Sequence, residues 1–208
     1  MEELFNLPLE SQATQEILEQ FLKYRIVVFN EGVTSDVLEN IILHIIQWNK
    51  EDEEAGIVLS KRKPIWIYIQ SPGGSVISGF SLIDVMLASK TPIYTLCFGQ
   101  CVSMGFYIFI AGHKRFAFKN SILMLHDGDI SISNSTSKAK DTMKFFDIME
   151  ERNKDFIITH TNMDSDFYDS IYDKEYYMYA NDEGKCFGCV DYIVGEDIEL
   201  NELFTKKF

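Results

Sequence analysis

Short apolar, β-branched runs alternate along this chain with longer stretches whose apolar residues recur at helical spacing, and that alternation limits the fold more than any other feature. Arg25 to Phe29, Ile65 to Ile69, Ile93 to Cys97, Arg115 to Phe118 and Ile122 to Leu125 read as strands. Residues 10–22 read as a helix with Ile17, Leu18, Phe21 and Leu22 on one side. Thr34, Ser35 and Asp36 offer N-caps for a second helix to about Trp48, carrying Val37, Ile41, Ile45 and Trp48 at helical spacing. Val76 to Ser89 reads as a third helix. Ser103 to Gly112 reads as a buried helix that the glycine ends. A long helix follows from about Ser137 to Thr159, with Met143, Phe146, Met149 and Phe156 among its apolar positions. Strands separated by helices return to the same sheet in parallel, so the fold class is α/β.

A chain of 208 residues is the size of one domain. Its formal net charge of −13 argues against binding nucleic acid, which needs a basic face, and against an anionic membrane surface. No apolar stretch approaches the ~18 residues of a membrane span. Met1-Glu2-Glu3 is acidic where a signal peptide is basic, so a cytoplasmic protein is expected. Four cysteines are too few for a disulfide framework at this length. Glu51 to Glu54 and Lys61 to Lys63 read as the flanks of a solvated surface loop, and Asn201 to Phe208 as a tail.

Three places could carry chemistry. Ser71-Pro72-Gly73-Gly74-Ser75 joins a strand to a helix, and its glycines leave backbone N–H groups open to a developing anion. Taken alone it reads more readily as a plain turn, and it matches no phosphate loop. Ser103 starts a helix after a strand, where a side chain is presented beside free N–H groups; the competing reading is an N-cap serine. His126 ends an apolar strand and enters a loop, a good place for a general base. His44, His113 and His160 read as structural. A carboxylate to orient the histidine comes from Asp173 or Glu175, between which spacing does not choose. Cys186-x-x-Cys189, with Cys97 and Cys101, could hold zinc, but buried small side chains fit their surroundings better.

Taken in order, these pieces resemble the proteolytic subunit of the Clp protease (the ClpP family). The residues that carry the resemblance run from Ile67-Tyr68-Ile69-Gln70-Ser71-Pro72-Gly73-Gly74-Ser75 through Ser103-Met104-Gly105, Ala111-Gly112, Arg115-Phe116, Asn120-Ser121 and Met124-Leu125-His126. They continue with His160-Thr161 and Gly188-Cys189-Val190-Asp191, so the likeness covers about residues 20–195. It implies a ClpP/crotonase-like repeated ββα superhelix with a protruding handle of a strand plus a long helix. The matching organisation is an N-terminal segment over 1–24, a peptidase domain over 25–195 with its handle at about 129–161, and a C-terminal tail over 196–208.

By the same resemblance Ser103 is similar to the family's nucleophile, His126 to its base, and Gly74 and Met104 to the oxyanion-hole positions. Counted without gaps from His126 to Ala180, the family's aspartate falls on Glu175, with Asp173 the rival. The substrate groove would take in Gly73, Ser75, Asp127, Gly128, Asp129 and Ile130. No metal or other cofactor is implied. The implied partners are peptides or unfolded proteins as substrate, further copies of the chain in heptameric rings stacked as a tetradecamer, and an AAA+ unfoldase. The chain departs from the family at Asp127 to Ile132, which replaces the usual Gln-Pro and glycines, and at Met1 to Lys23, which lacks the axial-loop pattern. Three other functions fit the sequence less well: a non-catalytic ring subunit, an acyl-CoA enzyme of the crotonase type, and a signal-peptide peptidase.

Overall fold

The computed structural model describes residues 12–128, 135–205 and 208. Helix α1 (Gln12–Lys23) leads into strand β1 (Ile26–Phe29). A π-turn over Leu38–Ile42 runs straight into α2 (Leu43–Glu54). Then come β2 (Ile65–Ser71), α3 (Val76–Ala88), β3 (Ile93–Val102), α4 (Met104–Ile110), β4 (Lys114–Phe118) and β5 (Ile122–Leu125). The long α5 (Thr136–His160) is followed by α6 (Ser165–Ile171), β6 (Tyr176–Tyr179), α7 (Glu183–Cys186), β7 (Tyr192–Val194) and α8 (Glu202–Thr205).

The sheet runs β1-β2-β3-β4-β7, all parallel. Strand β3 serves two neighbours on one side: Tyr94 to Cys97 pair with β4, and Gln100 to Val102 pair with β5. β6 then lies antiparallel on β5. This is the α/β class expected from the alternation. The third strand is longer than its apolar run, because Gly99, at φ +69°, lets the backbone turn and pairing resume at Ser71 and Cys101.

Two apolar layers cover the sheet. One, against α2, α3 and α4, holds Ile41, Ile45, Ile67, Leu82, Phe106 and Phe109, all 1% exposed or less. The other is mostly aromatic and gathers Trp66, Tyr68, Tyr94 and Phe116. Phe21 of α1 closes one end of it, meeting Tyr68 edge-on, whereas Ile17 and Leu18 from the same expected stripe stay exposed.

Two surface expectations need correction. Glu51 to Glu54 flanks the loop as the last turn of α2, but its charges are not all solvated: Asp52 is only 1% exposed. Arg25 grips it with both terminal nitrogens, at 2.8 and 2.7 Å, and Thr91 Oγ1 donates to it at 2.7 Å. Arg62, also buried, donates to Glu53 at 2.6 Å and to the Ile57 carbonyl. Nor is the segment after Asn201 a free tail: Leu203 is buried, and Phe208 stacks edge-on against Phe116 and accepts from the Tyr94 hydroxyl. Of the handle, the helical part is described as α5, and residues 129–134 lie outside the described residues. No described helix is long and apolar enough to cross a membrane.

Candidate active site

The parallel ladder brings the three sequence features together. Ser71 ends β2 beside Cys101, and the chain then turns through Gly73 at φ +91° and Gly74 at φ +146°. Val33 holds this turn from the side: its N–H donates to the Gly73 carbonyl, and its carbonyl accepts from Ser75 N–H, both at 2.8 Å. Ser75 Oγ caps α3 by accepting from Ser78 N–H. A side chain at position 73 would sit 2.7 Å from Ser103 Cβ and 3.0 Å from Met104 N, so only glycine lets the turn lie against the next strand end.

Ser103 follows β3 and precedes α4. Its backbone is at φ +52°, ψ −126°, a region that costs a residue with a side chain about 1–3 kcal/mol. The N-cap reading fails here, because Ser103 makes no side-chain cap bond. Its Oγ lies 2.8 Å from His126 Nε2 instead. Its N–H donates to the Met124 carbonyl at 2.9 Å, which locks the elbow to β5 and so to the histidine two residues on. Met104 is the first residue of α4, so its N–H has no intrahelical acceptor. Gly74, which follows Gly73 in the turn, is exposed.

The acid is less settled. Four β5–β6 pairs run from Ile122↔Tyr179 to Leu125↔Tyr176, and one more step puts His126 opposite Glu175. The next bond, Asp127 N–H to the Tyr172 carbonyl at 2.6 Å, has slipped by two residues, towards Asp173. Residues 172–174 form a turn rather than extended chain, so strand pleating does not relate the two acids. Among the described residues no carboxylate hydrogen-bonds His126. Glu175 Oε2 accepts from Tyr177, and Asp173 lies 3.9 Å from Lys174. Of the proposed groove, Gly73 is buried, Asp127 and Gly128 are exposed, and Asp129 and Ile130 lie outside the described residues. A cavity of about 440 Å³ opens next to the glycine turn, between α3 (Val76, Phe80) and α5 (Met149).

The other histidines have structural partners. His44 stacks on Trp48, His113 Nδ1 accepts from Ile93 N–H, and His160 stacks on Phe156. Cys97, Cys101 and Cys189 are buried, and burial pushes the Cys189 thiol up to about 12; Cys186, expected inside, is exposed. The matching Arg115 and Asp191 are architectural. Arg115 forks onto Asp191 at 3.1 and 2.8 Å and also donates to the His160 carbonyl, tying β4 to β7 and to the end of α5.

A parallel α/β sheet that sets a strained serine against a strand-end histidine defines a hydrolase-like class of site. The comparison with known families is more specific. The Clp protease model matches residues 10–197, and the chain belongs to that family. It is thus a ClpP-like peptidase, of the serine type in general terms, in a family whose members generally form stacked rings.

Proposed function

We propose that the chain is a serine endopeptidase that cleaves peptides or unfolded proteins inside a chamber formed by its own copies. The observation that carries this reading is the 2.8 Å approach of Ser103 Oγ to His126 Nε2 from a strained elbow beside the glycine turn. His126 takes the proton as Oγ attacks the peptide carbonyl, and later returns it to the leaving amine. The Gly74 and Met104 N–H groups receive the oxyanion; losing one such donor costs about 10²–10³ in rate. The acyl-enzyme is then released by water. The cavity between α3 and α5 receives a substrate side chain, and Ser75, Asp127 and Gly128 border the groove, with Asp129 and Ile130 continuing it. Glu175, or else Asp173, holds the imidazole in the tautomer that accepts from serine. No step calls for a metal or cofactor. The assembly in this reading is a cytoplasmic tetradecamer of two heptameric rings, fed by an AAA+ unfoldase.

One observation favours a second version, a ring subunit activated by its partners. No described carboxylate yet bonds His126, so assembly or a bound partner would have to complete the triad. Fluorophosphonate labelling of wild type, Ser103→Ala, Glu175→Ala and Asp173→Ala, with particle size followed in parallel, separates these versions. Labelling is expected in wild type, absent in Ser103→Ala and sharply weakened in one acid variant. An assembled wild-type particle that resists the probe would leave the self-sufficient enzyme untenable and favour the partner-activated or non-catalytic subunit.

A further inference from the structure

We infer that Tyr177 is a positioning residue that fixes Glu175 as the partner of His126, an inference that rests on the peptidase reading above. Residues paired across two antiparallel strands share a face of the sheet. In the β5–β6 ribbon, Leu123 pairs with Met178 and Leu125 with Tyr176, and these pairs turn towards the core. Met124 pairs with Tyr177 on the opposite face. Continued one step beyond its last pair, Leu125↔Tyr176, the same register would return His126 and Glu175 to the Tyr177 face. On that register Ser103 Oγ, the His126 ring, Glu175 and the Tyr177 hydroxyl would share one face. Two hydrogen bonds mark this line: Ser103 to His126 at 2.8 Å and Tyr177 to Glu175 at 3.2 Å.

Glutamate has one more rotatable bond than aspartate. A carboxylate at this position therefore needs a second contact if it is to be held against a histidine. Tyr177 provides it: the hydroxyl donates to Oε2 and leaves Oε1 for the imidazole N–H. The charge of Glu175 in turn pushes the Tyr177 hydroxyl above its ordinary range, so it stays protonated and remains a donor. Among the described residues Asp173 has no such hydrogen bond; it sits in the turn before β6, 3.9 Å from Lys174.

The test uses the full-length assembled protein and hydrolysis of a fluorogenic peptide, with fluorophosphonate acylation as a second readout. Tyr177→Phe removes one hydroxyl from an exposed position. It is expected to lower kcat about 3- to 10-fold, the range for one hydrogen bond, and to leave KM unchanged. Added to Glu175→Gln it should cost nothing more, and added to Asp173→Asn it should cost its full amount again. Unchanged kcat in Tyr177→Phe, a change confined to KM, or a loss that persists undiminished in Glu175→Gln would overturn the inference. A rise in kcat would also overturn it, since Tyr177 would then be holding Glu175 away from the histidine. If wild type shows no Ser103-dependent acylation, the peptidase reading falls first and takes this inference with it.

Discussion

Ser103 pays for its reach with its backbone. A serine at φ +52° presents Oγ to His126 because the elbow cannot relax into the helix it begins. Glycine tolerates that conformation and alanine does not. Ser103→Gly and Ser103→Ala both lose the hydroxyl, so comparing them isolates the strain. Ser103→Gly is expected to be more stable by about 1 kcal/mol in urea titrations. Equal stabilities would mean that the elbow holds no strain. The two ends of this short hydrogen bond were legible in the sequence as a helix-start serine and a strand-end histidine. The acid was left open by spacing, because the segment before β6 is a turn and the ladder slips by two residues at Asp127.

At the scale of elements, the buried Asp52 joins the end of α2 to the start of β1 and the approach to β3. Bonding to Arg25 holds its carboxyl below the ordinary aspartate range, against the opposing effect of burial. A group with a lowered folded-state pKa stabilises the fold above its unfolded pKa of about 4 and loses that contribution as pH falls further. Asp52→Ala leaves the Arg25 guanidinium without its partner and is expected to cost about 3 kcal/mol near neutrality. The gap between variant and wild type, read from urea titrations, should narrow below about pH 4. A gap that stays constant down to pH 3 would show that the ion pair contributes nothing. The sequence did contain the signal for this residue. Ile41, Ile45 and Trp48 form a helical stripe, and its next turn arrives at Asp52. Set among Glu51, Glu53 and Glu54, the aspartate reads as one more solvated charge, since composition hides phase. The strands were plainer, because β-branched runs bounded by glycine and proline mark themselves without any knowledge of their neighbours.

For the whole molecule, α5 leaves much of its apolar surface uncovered by its own chain. Of its residues only Ile157 is buried, near its end, while Met143, Phe145 and Ile148 are 46, 55 and 56% exposed. Since members of this family generally form stacked rings, we propose that this face packs on another copy. Phe145→Glu with Ile148→Glu is expected to shrink the particle in light scattering by about half, while a single ring persists; an unchanged mass would place those side chains outside the contact. The sequence suggests an interface here but does not decide it, because a stripe that packs within a subunit and one that packs between subunits look alike. The distribution of thiols has a different kind of consequence. Three cysteines are sealed in the core and Cys186 stands on α7 at the surface. A maleimide therefore meets one sulfur on the native chain and four on the opened one. The number of alkylations per chain, counted by mass, is a clock for how often the interior breathes, and it runs without touching Ser103.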